Sequence, residues 1–183
     1  MFGKRGAVLT LGSLLLVGSS LVWAPVGQAG TGKHGDHEGG FLCTGSSRSH
    51  YDPPLVLEPR LTRVRADVTY SSCTVRPGRT VAATSSFDGV SPAASCLTLS
   101  GGSGEETVQY ADGRHSLIVY DSSRILRAAG VLALVQSGRV TEGRGKGHPA
   151  RRTVTGAPRE LPTDCLAPGL REGDNEVQLE IQP

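Results

Sequence analysis

Apolar Val64, Ala66, Val68 and Tyr70 alternate with Arg63, Arg65, Asp67 and Thr69. A period of two puts one row on each face of an extended chain, so this segment predicts a half-exposed strand running into Cys73. Val177, Leu179 and Ile181 alternate with Glu176, Gln178 and Glu180 in the same way and predict a C-terminal strand that docks the chain end. Between residues 107–111 and 114–120, Asp112-Gly113 predicts a hairpin with a type I′ turn, whose two central positions require positive φ. Further short strands are expected at 55–57 (after Asp52-Pro53-Pro54), 80–84, 96–99, 131–140 and 152–155, divided by Gly, Pro and Ser.

Only residues 122–135 also suit a helical stripe, through Ile125, Ala129, Leu132 and Ala133. Gly130 in the middle costs a helix about 1 kcal/mol, and 131–135 is apolar at every position, as a central strand would be. A strand is therefore expected from Val131 onward, with room for a helical turn before it. The set as a whole predicts an all-β fold, an antiparallel β-sandwich or barrel-like domain with two disulfides.

The N-terminus has a different pattern. Lys4 and Arg5 precede an uncharged apolar run over 7–23, and Gly27-Gln28-Ala29 supplies small residues before a cleavage point. Residues 1–29 read as a secretory signal peptide cut after Ala29, because Gly12, Ser13, Gly18, Ser19, Ser20 and Pro25 interrupt what a spanning helix would need. Residues 30–40, GTGKHGDHEGG, lack large apolar side chains and read as a disordered leader. A single β domain is expected over 41–183, with no membrane span after processing.

Export makes the cysteines informative. Cys43, Cys73, Cys96 and Cys165 all follow the signal peptide, and an even number in a small exported domain implies two bridges. Three pairings are formally open. Sequential pairing, Cys43 with Cys73 and Cys96 with Cys165, is expected because each bridge then closes one half of the chain. Zinc ligands come in tight pairs such as Cys-x2-Cys, which these spacings do not offer.

Aromatic residues are few, so the core must rest on Val, Leu, Ile and Ala, helped by Phe41, Tyr51, Tyr70, Phe87, Tyr110 and Tyr120. Loss of Lys4 and Arg5 brings the bases level with the 17 acids. A chain without net positive charge lacks the footprint of a nucleic-acid binder. The local charge is uneven: Arg139, Arg144, Lys146, Arg151 and Arg152 are opposed within their stretch only by Glu142 and form a candidate anion-binding loop, whereas the chain after residue 159 is acidic.

Cys43-Thr-Gly, Tyr51-Asp-Pro-Pro-Leu, Tyr70-Ser-Ser-Cys, Ser95-Cys-Leu, the run 138–147 and Asp164-Cys-Leu-Ala-Pro-Gly-Leu together resemble a group of small secreted actinomycete proteins. The likeness covers nearly all of the chain after the leader. It implies a disulfide-bonded β-domain and no particular activity. Two positions depart from the group's pattern: Tyr110 stands near where a Trp is common, and Arg144 where a bulky apolar residue is common. If both belong to the core, it packs differently here.

Catalytic signals are weak. No Gly-x-Ser-x-Gly turn occurs, and the nearest stretch, residues 100–104, reads as a flexible loop. Glu105 and Glu106 are neighbours, so a strand sends them to opposite faces. His34, Asp36, His37 and Glu38 lie among glycines that would not preorganise a metal site. The expectation is a secreted, extracellular, non-enzymatic β-domain without a cofactor, able to bind an extracellular ligand such as an anionic cell-wall polymer. A secreted protease inhibitor presenting residues 89–95, or an extracellular hydrolase, is the alternative.

Overall fold

The computed structural model describes residues 40–76, 79–99, 101–128, 131–156, 165–166 and 168–183. Among these residues eight strands follow one another: β1 (Phe41–Leu55), β2 (Arg60–Arg76), β3 (Arg79–Ala94), β4 (Ser103–Tyr110), β5 (His115–Ala128), β6 (Val131–Gly143), β7 (Pro149–Gly156) and β8 (Leu170–Ile181). Each pairs antiparallel with the next, and β8 returns to β1, closing a barrel in sequence order. Closure leaves no unpaired sheet edge. Residues 1–39, which hold the expected signal peptide and all of the expected leader but Gly40, lie outside the described residues.

The period-two rows point as expected. Ala66, Val68 and Tyr70 are buried, as are Val177, Leu179 and Ile181, while Arg63, Arg65, Asp67 and Thr69 face outward. An outer wall carrying charge differs from the apolar band of a membrane-embedded barrel. Among the described residues no helix is long and apolar enough to cross a membrane.

Four expectations change. No separate strand forms at 55–57: Leu55 is the last residue of β1, and residues 56–57 lie outside any strand. The stretch around Ile125 forms the second half of β5, which pairs with β6 out to Ala128↔Val131, so the helical stripe is coincidental. The segment 96–99 is not a strand; it contributes the isolated bridge Ser95↔Thr98. The β4–β5 hairpin is closed by Tyr110 and Arg114, with three residues between them rather than two. Gly113 N–H donates to Tyr110 O, Tyr110 N–H donates to Arg114 O, and Gly113 takes φ 83°, the geometry of a turn followed by a left-handed residue.

Two glycines shape the wall. Gly45 on β1 lies opposite Tyr70, and Gly138 on β6 lies opposite Tyr120. A Cβ at either would fall 2.0 Å from the carbonyl oxygen of Thr69 or Val119 and 2.7 Å from the tyrosine Cα. Glycine permits this close backbone approach beside a large inward ring.

Both disulfides pair sequentially, with Cα separations of 3.9 Å for Cys43–Cys73 and 6.2 Å for Cys96–Cys165. The first joins directly opposed residues of β1 and β2. The second ties the segment after β3 to the segment before β8. Two such bridges are compatible with an extracellular location.

Candidate functional site, an apolar cavity over a buried charge pair

The barrel ends differ. At one, Phe41 meets Tyr110 edge to face at 5.9 Å, and the Arg144 guanidinium lies 4.5 Å over the Tyr110 ring. Arg144 also donates from Nη2 to Asp112 Oδ2 at 2.7 Å, and its carbonyl accepts from Ser116 Oγ. Gly143 and Gly145, at φ 78° and 76°, form part of the connection that brings Arg144 over this end. Tyr110 and Arg144 thus pack on each other.

The other end holds a cavity of about 200 Å³. Leu55, Val64, Ala66, Phe87, Ile125, Leu132, Leu134, Val154 and Leu170 supply much of its wall; Ser49, Ser91, Ser123 and Asn175 add polar atoms. The Cys96–Cys165 bridge borders it too. Among the described residues the exposed large apolar side chains collect around this same end: Leu57, Leu61, Val90, Leu97, Leu126, Val131 and Leu166, against Leu42 alone at the opposite end. Apolar exposure gathered at one place marks a ligand or interaction surface more often than scattered residues do.

Charge enters the cavity through one side chain. Arg152 on β7 is 3% exposed and is the one charged residue among the described cavity-lining residues. It lies 4.7 Å over the Phe87 ring and donates from Nη1 to Gln136 Oε1 at 2.8 Å. Its Nε is 3.6 Å from Glu106 Oε2 and has no hydrogen-bond partner.

Glu106 belongs to the core rather than to the cavity wall. Tyr70 and Ser85 hydroxyls donate to Oε1 at 2.8 and 2.5 Å, and the Tyr120 hydroxyl donates to Oε2 at 2.7 Å. Burial, reinforced by the Glu106 charge, raises the pKa of Tyr70 and Tyr120 well above the ordinary phenol value. Burial opposes the Arg152 charge, but Glu106 together with the two tyrosines outweighs it and leaves the guanidinium pKa raised. Glu105 faces outward, as strand alternation requires.

The candidate anion-binding loop is divided by the fold. Arg139, Lys146 and Arg151 are exposed, and Arg151 lies 3.7 Å from Glu180. Arg144 and Arg152 turn inward and are held by Asp112 and Glu106, so they do not share one surface with the other three. Residues 89–94, part of the candidate inhibitory segment, form the end of β3, with Ser91, Ala94 and Ser95 buried. The four leader residues weighed for metal lie outside the described residues.

Sequence reasoning missed Glu106, Arg152 and Gln136 as a group. The available signal was a charged residue at an inward position: Glu106 shares its face with Val108 and Tyr110, and Arg152 with Val154. No protein-family model, curated protein or solved structure matches the chain.

Proposed function

We propose that this is a secreted, non-enzymatic binding protein that takes a small, mainly apolar molecule into the open end of its barrel. The observation that carries the reading is the 200 Å³ cavity with apolar walls and a buried guanidinium at its base. An eight-stranded barrel is just wide enough to be filled by side chains or to hold one small ligand, and barrel mouths are favoured ligand sites. An apolar cavity of about 150 Å³ already accepts benzene, so this one suits a single ring or a short chain.

Binding is a better account than catalysis because, among the described cavity-lining residues, Arg152 is joined by no carboxylate or histidine. Glu106, the nearest carboxylate, is engaged by three hydroxyls and lies outside the lining. Secretion rests on the N-terminal pattern and fits the two disulfides; the exported protein is expected to begin at Gly30. The reading is tested by calorimetric titration with toluene against the native protein and a Leu134→Trp variant that fills the cavity. Saturable one-to-one binding, lost in the variant while its melting temperature is retained, is expected; no uptake by the native protein would refute the proposal.

A further inference from the structure

We infer that the barrel selects, among small apolar molecules, those carrying an uncharged oxygen acceptor such as a ketone or amide carbonyl, which Arg152 would bind. This rests on the cavity reading above and adds the head group that the cavity recognises.

Donor supply and charge balance at Arg152 set this selection. Of the five N–H groups of a guanidinium, Arg152 commits one from Nη1 to Gln136, shares a hydrogen bond with Tyr70 and turns Nε toward Glu106 at 3.6 Å, while the residue itself lines the cavity. A guanidinium donor beyond these contacts is costly to leave unmet in a buried site, and an acceptor brought into the cavity by a ligand would meet it. The ring of Phe87 holds the guanidinium from one face and so limits where that acceptor can sit. Among the described residues the cavity wall around it is largely aliphatic and supplies no competing cation.

A ligand carboxylate would also be an acceptor, but charge argues against it. Glu106 already faces Arg152 at 3.6 Å, so the pair is neutral as it stands. A second anion would leave a net negative charge in a poorly solvated interior, and moving it there from water is expensive. A neutral carbonyl gains the hydrogen bond without that cost. A hydrocarbon avoids the cost but leaves the donor unmet.

The experiment titrates the full chain with toluene, acetophenone and benzoate, which share one ring and differ in the substituent. Acetophenone is expected to bind roughly tenfold tighter than toluene, the worth of one hydrogen bond to a charged group, and benzoate more weakly than acetophenone. Arg152→Met alone would strand Glu106, so the discriminating variant is the joint Glu106→Gln/Arg152→Met, checked for folding by its thermal transition. In that variant the ratio of acetophenone to toluene affinity should fall from about ten to about one. If the preference survives in a folded variant, or benzoate binds best, or the native protein binds toluene and acetophenone equally, the inference is overturned while the cavity reading stands. Should the joint variant not fold, Gln136→Leu, which disturbs the Arg152 orientation without removing charge, must shrink the preference, and an unchanged ratio would overturn the inference. If the native protein binds none of the three, the cavity reading itself fails.

Discussion

Arg152 on β7 and Glu106 on β4, three strands apart in the wall, meet inside the barrel with Nε and Oε2 3.6 Å apart. Both are buried. Losing either partner leaves a desolvated charge, which typically costs 3–5 kcal/mol. Arg152→Ala and Glu106→Ala should each lower unfolding stability by about 4 kcal/mol in urea, and Glu106→Gln/Arg152→Met should recover much of that loss. A single substitution costing under about 1 kcal/mol, the range of exposed pairs, would show that the pair is not internal.

The tyrosines around Glu106 give an alkaline signature. A phenol whose folded pKa is raised stabilises the fold fully below its unfolded value of about 10, and that stability is lost as pH rises toward the folded value. Of four tyrosines, Tyr70 and Tyr120 are expected to ionise late and together with unfolding. Absorbance titration should therefore show phenolate appearing in step with loss of β circular dichroism for these two. Four tyrosines ionising before any structural change would contradict the burial.

Asp112 gives the opposite sign at acid pH. The hydrogen bond from Arg144 holds its carboxyl below the usual range, so its contribution is complete above about pH 3.9 and disappears as pH falls through the lower folded value. Asp112→Asn should cost about 1.5–3 kcal/mol at neutral pH and lessen the loss of stability between neutrality and pH 3. An equally steep acid limb in the variant would assign that limb to other carboxylates.

The bridges close intervals of 30 and 69 residues. In the chain-entropy account they contribute about 3.6 and about 4.4 kcal/mol. Cys43 and Cys73 remain neighbours through strand register even without their bond, whereas Cys96 and Cys165 join connecting segments. Replacing both members by alanine should therefore cost more for Cys96/Cys165, and hydrogen exchange should quicken at Ser95 and Thr98 while the β1–β2 pairing stays protected. The reverse order of loss would place the main constraint in the wall.

What the sequence determined by itself was whatever depends on neighbours along the chain. Alternation at 63–70 and 176–181 identified strands and their inward faces, and Gly113 marked a turn, because pleating and φ are local properties. The sequential cysteine pairing was also legible. β1 was not, because its inward residues include Ser47 and Ser49, small polar groups that leave no apolar alternation to see. Sandwich and barrel stayed equivalent in the pattern, since both need the same alternating strands; only pairing of β8 with β1, 126 residues from Arg48 to Asp174 along the chain, closes the sheet. Two members of the Arg139 to Arg152 charge run, Arg144 and Arg152, turn inward for the same reason. Whether a strand arginine faces solvent or interior depends on which acidic residue the fold places opposite it, and Glu106, Gln136 and Arg152 converge only through tertiary closure. The cavity they underlie is a property of that closure, because its wall draws on all eight strands.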